Sequence, residues 1–226
     1  MRGKNVSAED LTAKKELALE VIRRLKAEYP DAGCTLDYDH AWQLLVSVRL
    51  AAQCTDARVN IVVQDLFAKY PSVAALAEAE PEDIEAIVKP CGLGHSKARD
   101  ISACMRMLRD KYDCKVPTTF EELLALPGVG RKSANLIMGD VFGKPAIVTD
   151  THCIRLCNKI GLVDGIKEPQ KVEMALWKIV PPEEGSDLCH RFVMHGRAVC
   201  NARKPECEKC CLSDICRCAR EEASNV

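Results

Sequence analysis

Apolar residues recur along this chain at intervals of three and four positions, which is the period of an amphipathic α-helix. The N-terminal part shows the pattern first, with Leu17, Val21, Ile22 and Leu25 on one helical face. Residues 40–53 are more uniformly apolar and predict a helix that is largely buried. Long runs in which apolar and polar residues alternate, as they do in strands, do not appear. The pattern therefore predicts an all-α fold.

Capping residues and prolines mark the expected ends of the helices. Thr55 can cap the helix after it, which Pro71 closes, and Thr119 opens a possible capping box. Ser7 and Asp10 form a candidate capping box for the first helix. The remaining helices are predicted over residues 73–79, 81–88, 96–111, 131–142, 151–160, 170–179 and 186–202.

Length, charge and the N-terminal segment limit the class of protein. A chain of 226 residues can bury a substantial core in one or two domains. The first residues lack the apolar middle of a signal peptide, and no apolar run approaches the roughly 20 residues of a membrane span. We therefore expect a soluble, cytoplasmic protein with no membrane partner. The net charge of -1 argues against nucleic-acid binding by the whole surface but is compatible with a local basic face.

The chain contains 14 cysteines, and a reducing compartment makes ligation of a metal or cluster the leading use of those that are clustered. Eight cysteines are scattered and are expected to be small buried or half-buried apolar residues. These are Cys34, Cys54, Cys91, Cys104, Cys114, Cys153, Cys157 and Cys189. The other six lie among the nineteen residues of 200–218 and predict a small structure with its own organising group.

Four of the clustered cysteines have the spacing C-x6-C-x2-C-x5-C: Cys200, Cys207, Cys210 and Cys216. Such crowding suits an iron–sulfur cluster, whereas structural zinc sites more often use two pairs of cysteines; zinc stays an alternative. Cys211 and Cys218 lie beside this set and leave the choice of ligands open. Residues 191–220 carry seven Lys and Arg but three Asp and Glu. That surplus fits either a DNA-facing patch or the counter-charge of an anionic cluster.

The segment "LPGVGRKSAN", residues 126–135, joins two predicted helices through a turn with two glycines. Its position between helices excludes a dinucleotide-binding fingerprint, which follows a strand, and its lysine is one position too late for a phosphate loop. Glycines let a backbone approach a ligand closely, and the free N–H groups at the start of the second helix form an anion site that suits a DNA phosphate. A tight turn without a ligand is the alternative interpretation.

Two residues of this region can take part in chemistry. Lys132 lies at the head of the second helix, where the positive end of the helix dipole favours a neutral, nucleophilic amine. Asp150 precedes the helix of "THCIRLCNKI" and can cap it. A capped carboxylate is held rigidly, so it can also stabilise positive charge on a sugar or accept a proton. A solvated surface lysine and a purely structural cap are the alternatives.

Six segments carry a resemblance to a known family: "LAAQCTDARVN", "GLGHSKA", "LPGVGRKSAN", "DTHCIRLCN", "HGRAVC" and the cysteine spacing. In this order they resemble the endonuclease III family of helix-hairpin-helix DNA base-excision glycosylases, over residues 14–218. The resemblance implies a two-lobed helix-hairpin-helix DNA glycosylase fold. A six-helix barrel lobe is expected at residues 34–145, and an iron–sulfur cluster lobe at residues 1–33 and 146–226. The resemblance also implies that the four cysteines hold a 4Fe-4S cluster rather than zinc.

The resemblance further implies a bifunctional DNA glycosylase/AP lyase that removes oxidised pyrimidines from damaged double-stranded DNA. The damaged nucleotide is expected to flip out of the duplex. Lys132 then attacks the sugar C1′ and forms a Schiff base with the help of Asp150, and β-elimination nicks the strand. Gln53 and Leu93 match positions that fill or wedge the gap in the base stack. A core glutamine and an ordinary loop contact are the alternatives for these two residues.

Other DNA contacts are expected in and around the hairpin, from Leu126, Gly128, Val129, Gly130, Arg131 and Ser133. His152 is expected near the pocket, with a local hydrogen-bonding role as the alternative. The resemblance also leads us to expect a monomer that associates with the nucleoid of a prokaryote. Cys54 and Thr149 add unusual polarity near the expected site, which leaves substrate preference open.

Two other functions compete with this interpretation. A monofunctional adenine glycosylase lacks the nucleophilic lysine and carries a further C-terminal domain, whereas this chain has Lys132 and only ten residues after Cys216. A non-catalytic iron–sulfur protein that binds DNA or senses redox state would use the cluster and the hairpin equally well. The coincidence of Lys132 with Asp150 argues against it.

Overall fold

The structure is a computed structural model that describes residues 8–224, except for the side chains of residues 222 and 223. Over that range its regular elements are helices, as the hydrophobic pattern predicted. The α-helices are α1 (Ala8–Glu28), α2 (Ala41–Leu50), α3 (Asp56–Lys69), α4 (Val73–Glu78), α5 (Pro81–Val88), α6 (Gly94–Tyr112), α7 (Phe120–Ala125), α8 (Arg131–Asp140), α9 (Thr151–Ile160), α10 (Pro169–Leu176), α11 (Gly185–Ala198) and α12 (Arg217–Ala223). Short 3-10 helices cover Lys89–Cys91, Pro182–Glu184 and Cys207–Lys209.

The chain forms two compact units. The central unit is Cys34–Gly143 and contains α2 to α8. The terminal unit joins Met1–Gly33 to Lys144–Val226 and contains α1 and α9 to α12. None of the described helices has the length and apolar character that crossing a membrane requires.

The core of the central unit is built around α2 and α6. The α2 side chains Leu44, Leu45 and Leu50 are buried, as the uniformly apolar pattern predicted. The helix α6 packs against α4 and α5 and buries its own apolar face in the same core. The prediction that α2 reaches Gln53 is wrong: it ends at Leu50. Gln53 has a φ of 57°, a left-handed conformation that a right-handed helix cannot include.

Several predicted helix ends are confirmed by their caps. The Thr55 hydroxyl accepts the N–H of Arg58, and the Thr119 hydroxyl accepts the N–H of Glu122. The predicted cap at Ser7 lies outside the described residues. The helix α11 ends at Ala198, earlier than predicted, because the backbone turns away there into the cysteine-rich segment.

In the terminal unit, α1 holds the chain's other end. Val21, Ile22 and Leu25 are buried, as their spacing predicted. On the polar face of the helix, the Arg24 guanidinium pairs with the Asp214 carboxylate and donates to the carbonyl of Cys211 at 2.9 Å. Residues far apart in sequence thus fix the cysteine-rich segment against the first helix.

Seven of the eight scattered cysteines are buried or half-buried, as expected. The expectation is wrong for Cys114, which is exposed. This residue has a φ of 58° and follows Asp113, also left-handed, in the turn after α6. The turn carries its side chain away from the apolar face that buries Cys104.

Candidate active site and nucleic-acid interface

The glycine turn joins α7 to α8 in the central unit. Leu126 has only 2% of its surface exposed and packs in the core, and its carbonyl accepts the N–H of Val129 at 3.1 Å. Gly128 has a φ of 75°, which favours glycine. A Cβ atom there would lie 2.9 Å from the Cβ of Asp100 and 3.1 Å from the Cδ of Arg49. The protein's own packing therefore requires glycine at this position.

The turn packs on an ion pair that the sequence analysis missed. Arg49, in the last turn of α2, donates from Nε to the Oδ2 of Asp100 on α6 at 2.8 Å. Its NH2 group lies at the same distance from that oxygen. Both side chains are about one fifth exposed, so water screens the pair only partly. Side-chain partners from two helices thus fix the position of the hairpin.

Gly130 differs from Gly128 because nothing in the protein requires a glycine there. Its φ of -95° suits any residue, and no atom lies within 4 Å of where a Cβ would be. Gly130 is the N-cap of α8, so the following N–H groups lack partners within the helix. An open glycine beside the N–H groups at the start of a helix has the form of an anion-binding site.

Three predicted site residues follow in the first turn of α8. Lys132 is exposed, and Ser133 is half-buried beside it. The Arg131 guanidinium lies over the Phe120 ring, 4.9 Å from its centre, a cation–π geometry that directs this side chain back toward α7. The hairpin therefore presents Lys132 at its surface.

Asp150 lies in the terminal unit and is the N-cap of α9. Its Oδ1 accepts the N–H of Cys153 at 2.7 Å, and its own N–H donates to the carbonyl of Val148. The capping interpretation is thus confirmed in its geometry. Capping holds the carboxylate in one orientation, which chemistry at that carboxylate also requires.

A layer of buried thiols lies next to Asp150, which the sequence analysis did not anticipate. The Sγ atoms of Cys153 and Cys157 are 3.9 Å apart, and Cys189 accepts the N–H of Val148 at 3.2 Å. Hydrogen bonds among these thiols, together with burial, raise the pKa of Cys153 and Cys189 well above the usual value. Cys153 and Cys189 are therefore neutral thiols, and the buried layer gives the segment before Asp150 a dry support.

His152 and Arg155 connect α9 to α11. Arg155 NH2 donates to the carbonyls of Gly196 at 3.2 Å and Cys200 at 2.6 Å, and lies 3.3 Å from His152 Nδ1. A Cβ on Gly196 would lie 2.4 Å from that histidine nitrogen, so the close approach requires glycine. His152 thus takes part in a local contact, and Arg155 links the helix of Asp150 to the first cysteine of the cluster motif.

Gln53 and Leu93 lie in two loops of the central unit, and both are exposed. Gln53 is not a core residue, so that alternative is wrong. Leu93 has 57% of its surface exposed, which is unusual for a large apolar residue. Its φ is 51°, left-handed like that of Gln53. Non-glycine residues held in this region store strain, which is typical of functional positions.

The four cysteines of the motif lie around one small cavity. Cys200, Cys207, Cys210 and Cys216 all line it, and Cys218 lines it as well, whereas Cys211 does not. The Sγ of Cys210 lies 3.3 Å from His195 Nε2. Burial raises the pKa of Cys210 to about 11, so its thiol needs a cationic partner before it can act as a thiolate ligand.

Among the side chains that the structure describes, no group of three His, Cys, Asp or Glu has the geometry that holds one metal ion. An iron–sulfur cube has a different requirement, because each thiolate binds its own iron and the four sulfurs surround the cube. Four cysteines around one cavity fit such a group.

The basic surplus of residues 191–220 is smaller at the surface than the sequence count suggests. Arg191 is only 2% exposed at its side chain and pairs with Asp187 at 2.9 Å. Arg217 pairs with Asp164 at 2.6 Å, and Lys209 pairs with Glu206. Arg191 therefore cannot belong to a DNA-facing patch.

Comparisons with known proteins agree with this set of features. The family model of the HhH-GPD superfamily of base excision DNA repair proteins matches residues 46–182. Endonuclease III of Synechocystis is 42% identical over 207 residues, which cover 91% of this chain and 94% of the relative. Endonuclease III of Escherichia coli K12 is 38% identical over 198 residues, covering 88% and 93%.

A solved structure gives the same result in three dimensions. An endonuclease III–DNA complex trapped as a covalent intermediate superposes with a TM-score of 0.87 at 38% identity. The match covers 92% of this chain and 98% of that one. The chain therefore belongs to the endonuclease III family of helix-hairpin-helix base excision DNA repair enzymes, which are DNA glycosylases with AP lyase activity.

Proposed function

We propose that this chain removes oxidised pyrimidines from damaged double-stranded DNA and then nicks the strand, with Lys132 as the nucleophile. The observation that carries the proposal is an exposed lysine in the first helical turn after an unobstructed glycine. A relative that was trapped as a covalent DNA intermediate supports a covalent route.

The proposed reaction begins when the Lys132 amine attacks C1′ of a flipped nucleotide. The glycosidic C1′–N bond breaks, and its electron pair leaves with the base, which takes up a proton. The sugar ring opens to give a Schiff base between C1′ and Nζ. Loss of a C2′ proton then expels the 3′ phosphate by β-elimination, and water releases the enzyme. Asp150, fixed by its cap, stabilises positive charge on the sugar and assists proton transfer.

The hairpin is the proposed grip on the DNA backbone. The open Gly130 admits a phosphate, and the N–H groups at the start of α8 donate to it. Leu126 and Val129 act indirectly, since they anchor the turn in the core. Gln53 and Leu93, both exposed and left-handed, are the proposed residues that enter the base stack.

We propose that the central and terminal units are the barrel and cluster lobes. Cys200, Cys207, Cys210 and Cys216 would hold a 4Fe-4S cluster, as their common cavity supports. When bound, the cluster would cross-link the segment that Arg155 joins to α9, and so supply rigidity rather than a reacting group.

The alternatives are less well supported. The comparisons favour an endonuclease III over an adenine-specific enzyme, and Lys132 is in place. A purely DNA-binding or redox-sensing protein would leave the exposed amine without a role. We propose a monomer that acts at the nucleoid in the cytoplasm of a prokaryote.

Replacing Lys132 with glutamine should abolish the reaction while leaving binding intact. The wild type should form a borohydride-trapped adduct with a duplex carrying thymine glycol or an abasic site, because only a Schiff base is reduced to a stable bond. Lys132→Gln should bind the same duplex but give neither adduct nor nick. Duplexes with uracil or 8-oxoguanine serve as controls for lesion choice. Unchanged cleavage by Lys132→Gln would disprove the assignment.

Changing Asp150 to asparagine should separate its cap from its chemistry. Asparagine caps helices as well as aspartate does, so the free energy of unfolding should change by less than about 0.5 kcal/mol. The rate of base release should fall by about 10²- to 10⁴-fold, because the charge is lost. Asp150→Ala should lose the cap as well, at a cost of about 1 kcal/mol. Full activity in Asp150→Asn would leave the residue a cap alone.

Replacing Gly128 or Gly130 of the hairpin with serine should have different effects. Gly128→Ser should lower the free energy of unfolding by at least about 1 kcal/mol, because of its positive φ and the packing on Asp100. Gly130→Ser should keep stability, since serine is a preferred N-cap. It should weaken DNA binding about tenfold or more, a loss of about 1.4 kcal/mol, because the hydroxyl occupies the phosphate site. Wild-type affinity in Gly130→Ser would show that DNA does not approach there.

Anaerobic purification followed by iron and sulfide analysis should find about four of each per chain. Cys210→Ser should lower that content and the visible absorption of the cluster, because Cys210 lines the cavity. Cys211→Ser is the matched control and should keep both. Stoichiometric zinc in the wild type would contradict the cluster assignment.

A further inference from the structure

Lys97 is a fully buried lysine of the central unit, with 0% of its surface exposed. It lies in the first turn of α6. Its Nζ donates to the carbonyl of Leu50 at 2.8 Å and to the carbonyl of Cys91 at 2.8 Å. Lysines are almost never fully buried unless they are paired, so this one needs an explanation.

The two acceptors lie at the ends of helices. Leu50 is the last residue of α2, and Cys91 is the last residue of the 3-10 helix before α6. The final carbonyls of a helix lack partners within it, and they lie at the negative end of its dipole. An ammonium is therefore well suited to this position, and its bonds to the carbonyls offset part of the cost of burying it. Burial nevertheless lowers the pKa of Lys97.

Each acceptor also leads directly into one of the exposed loops. Leu50 lies three residues before Gln53, and Cys91 lies two residues before Leu93. Both loop residues have left-handed backbones, at φ of 57° and 51°. Neither is a glycine, so each conformation costs free energy that neighbouring contacts must supply.

We infer that Lys97 is a positioning residue that clamps the loops of Gln53 and Leu93 to each other. It does so by donating hydrogen bonds to the carbonyls of Leu50 and Cys91, at the start of the two loops. One ammonium thereby sets the separation and orientation of both side chains that enter the base stack. This inference rests on the proposed function for the roles of those two side chains. The clamp itself rests on the hydrogen bonds alone.

Lys97→Met is the variant that tests the clamp, since it keeps most of the apolar stem and removes the donors. Arg106→Met is the matched control on the same helix. Arg106 also donates to two carbonyls near a helix end, those of Ala77 at 3.1 Å and Ala79 at 3.5 Å, but these do not lead into either loop. If Lys97→Met does not fold, Lys97→Gln, which retains one donor group, takes its place.

The first measurement needs no activity. Hydrogen–deuterium exchange of the free protein should rise in segments 51–54 and 91–94 together in Lys97→Met. Exchange in both should stay unchanged in Arg106→Met. If either segment keeps its wild-type exchange in Lys97→Met, the clamp is disproved, whatever the enzyme does.

The second measurement compares two substrates. On a thymine-glycol duplex, Lys97→Met should lower kcat/KM about ten- to a hundredfold, because the wedge residues are misplaced. On an abasic site in single-stranded DNA, where no base leaves a stack, its lyase rate should stay within about twofold of wild type. If Lys97→Met lowers the rate on both substrates by the same factor, the variant is generally destabilised and the positioning role is overturned.

A double-mutant cycle completes the test. In a chain that already carries Gln53→Ala and Leu93→Ala, adding Lys97→Met should reduce duplex cleavage by less than about twofold, since the residues it positions are gone. If Lys97→Met lowers duplex cleavage as much in this background as in the wild type, Lys97 does not act through Gln53 and Leu93. A wild type that gives no borohydride adduct would instead refute the proposed function, and hydrogen exchange would still decide the clamp.

Discussion

An α-helix cannot pair the backbone groups of its own ends, and the candidate chemistry of this protein is concentrated where those groups lie. Lys132 lies in the first turn of α8, beside N–H groups that can donate hydrogen bonds to a phosphate. Asp150 closes the start of α9 with its carboxylate. Lys97 acts at a helix C-terminus, where its ammonium donates to the carbonyl of the last residue of α2. Helix ends thus provide both the anion-binding groups and the rigid supports that a site for DNA needs.

Backbone strain is the second common feature, and the left-handed residues of the hairpin and of the two exposed loops have identifiable supports. Gly128 takes a left-handed turn that packs against Arg49 and Asp100, whose ion pair joins two helices below it. Gln53 and Leu93 have left-handed backbones although neither is a glycine. Shortly before each of them in the chain, a backbone carbonyl accepts a hydrogen bond from the buried Lys97 ammonium. Conformations that would relax in an isolated loop persist because packed helices determine them.

In the terminal unit, two arginine side chains hold the cysteine-rich segment against the helices. Arg155 spans from the helix of Asp150 to the carbonyl of Cys200, where the cysteine motif begins. Arg24 holds the other side of that motif from α1. A cross-linked cysteine segment would therefore stabilise the helix that carries the carboxylate. In this arrangement a bound cluster would contribute by position, and the thiol layer of Cys153, Cys157 and Cys189 keeps the adjoining backbone dry.

The sequence by itself determined most of the helices, though not α12, together with the caps at Thr55 and Asp150 and the family, because periodicity, capping and motif order are local properties of the chain. It misplaced the end of α2 and the burial of Cys114, since a left-handed residue cannot be recognised from hydrophobic spacing. It also treated Lys97 as part of a motif, with no sign that its ammonium is buried. Only the tertiary structure decided the partners of Lys97, Arg49 and Arg155, because each of them bonds to groups that become neighbours when distant helices pack.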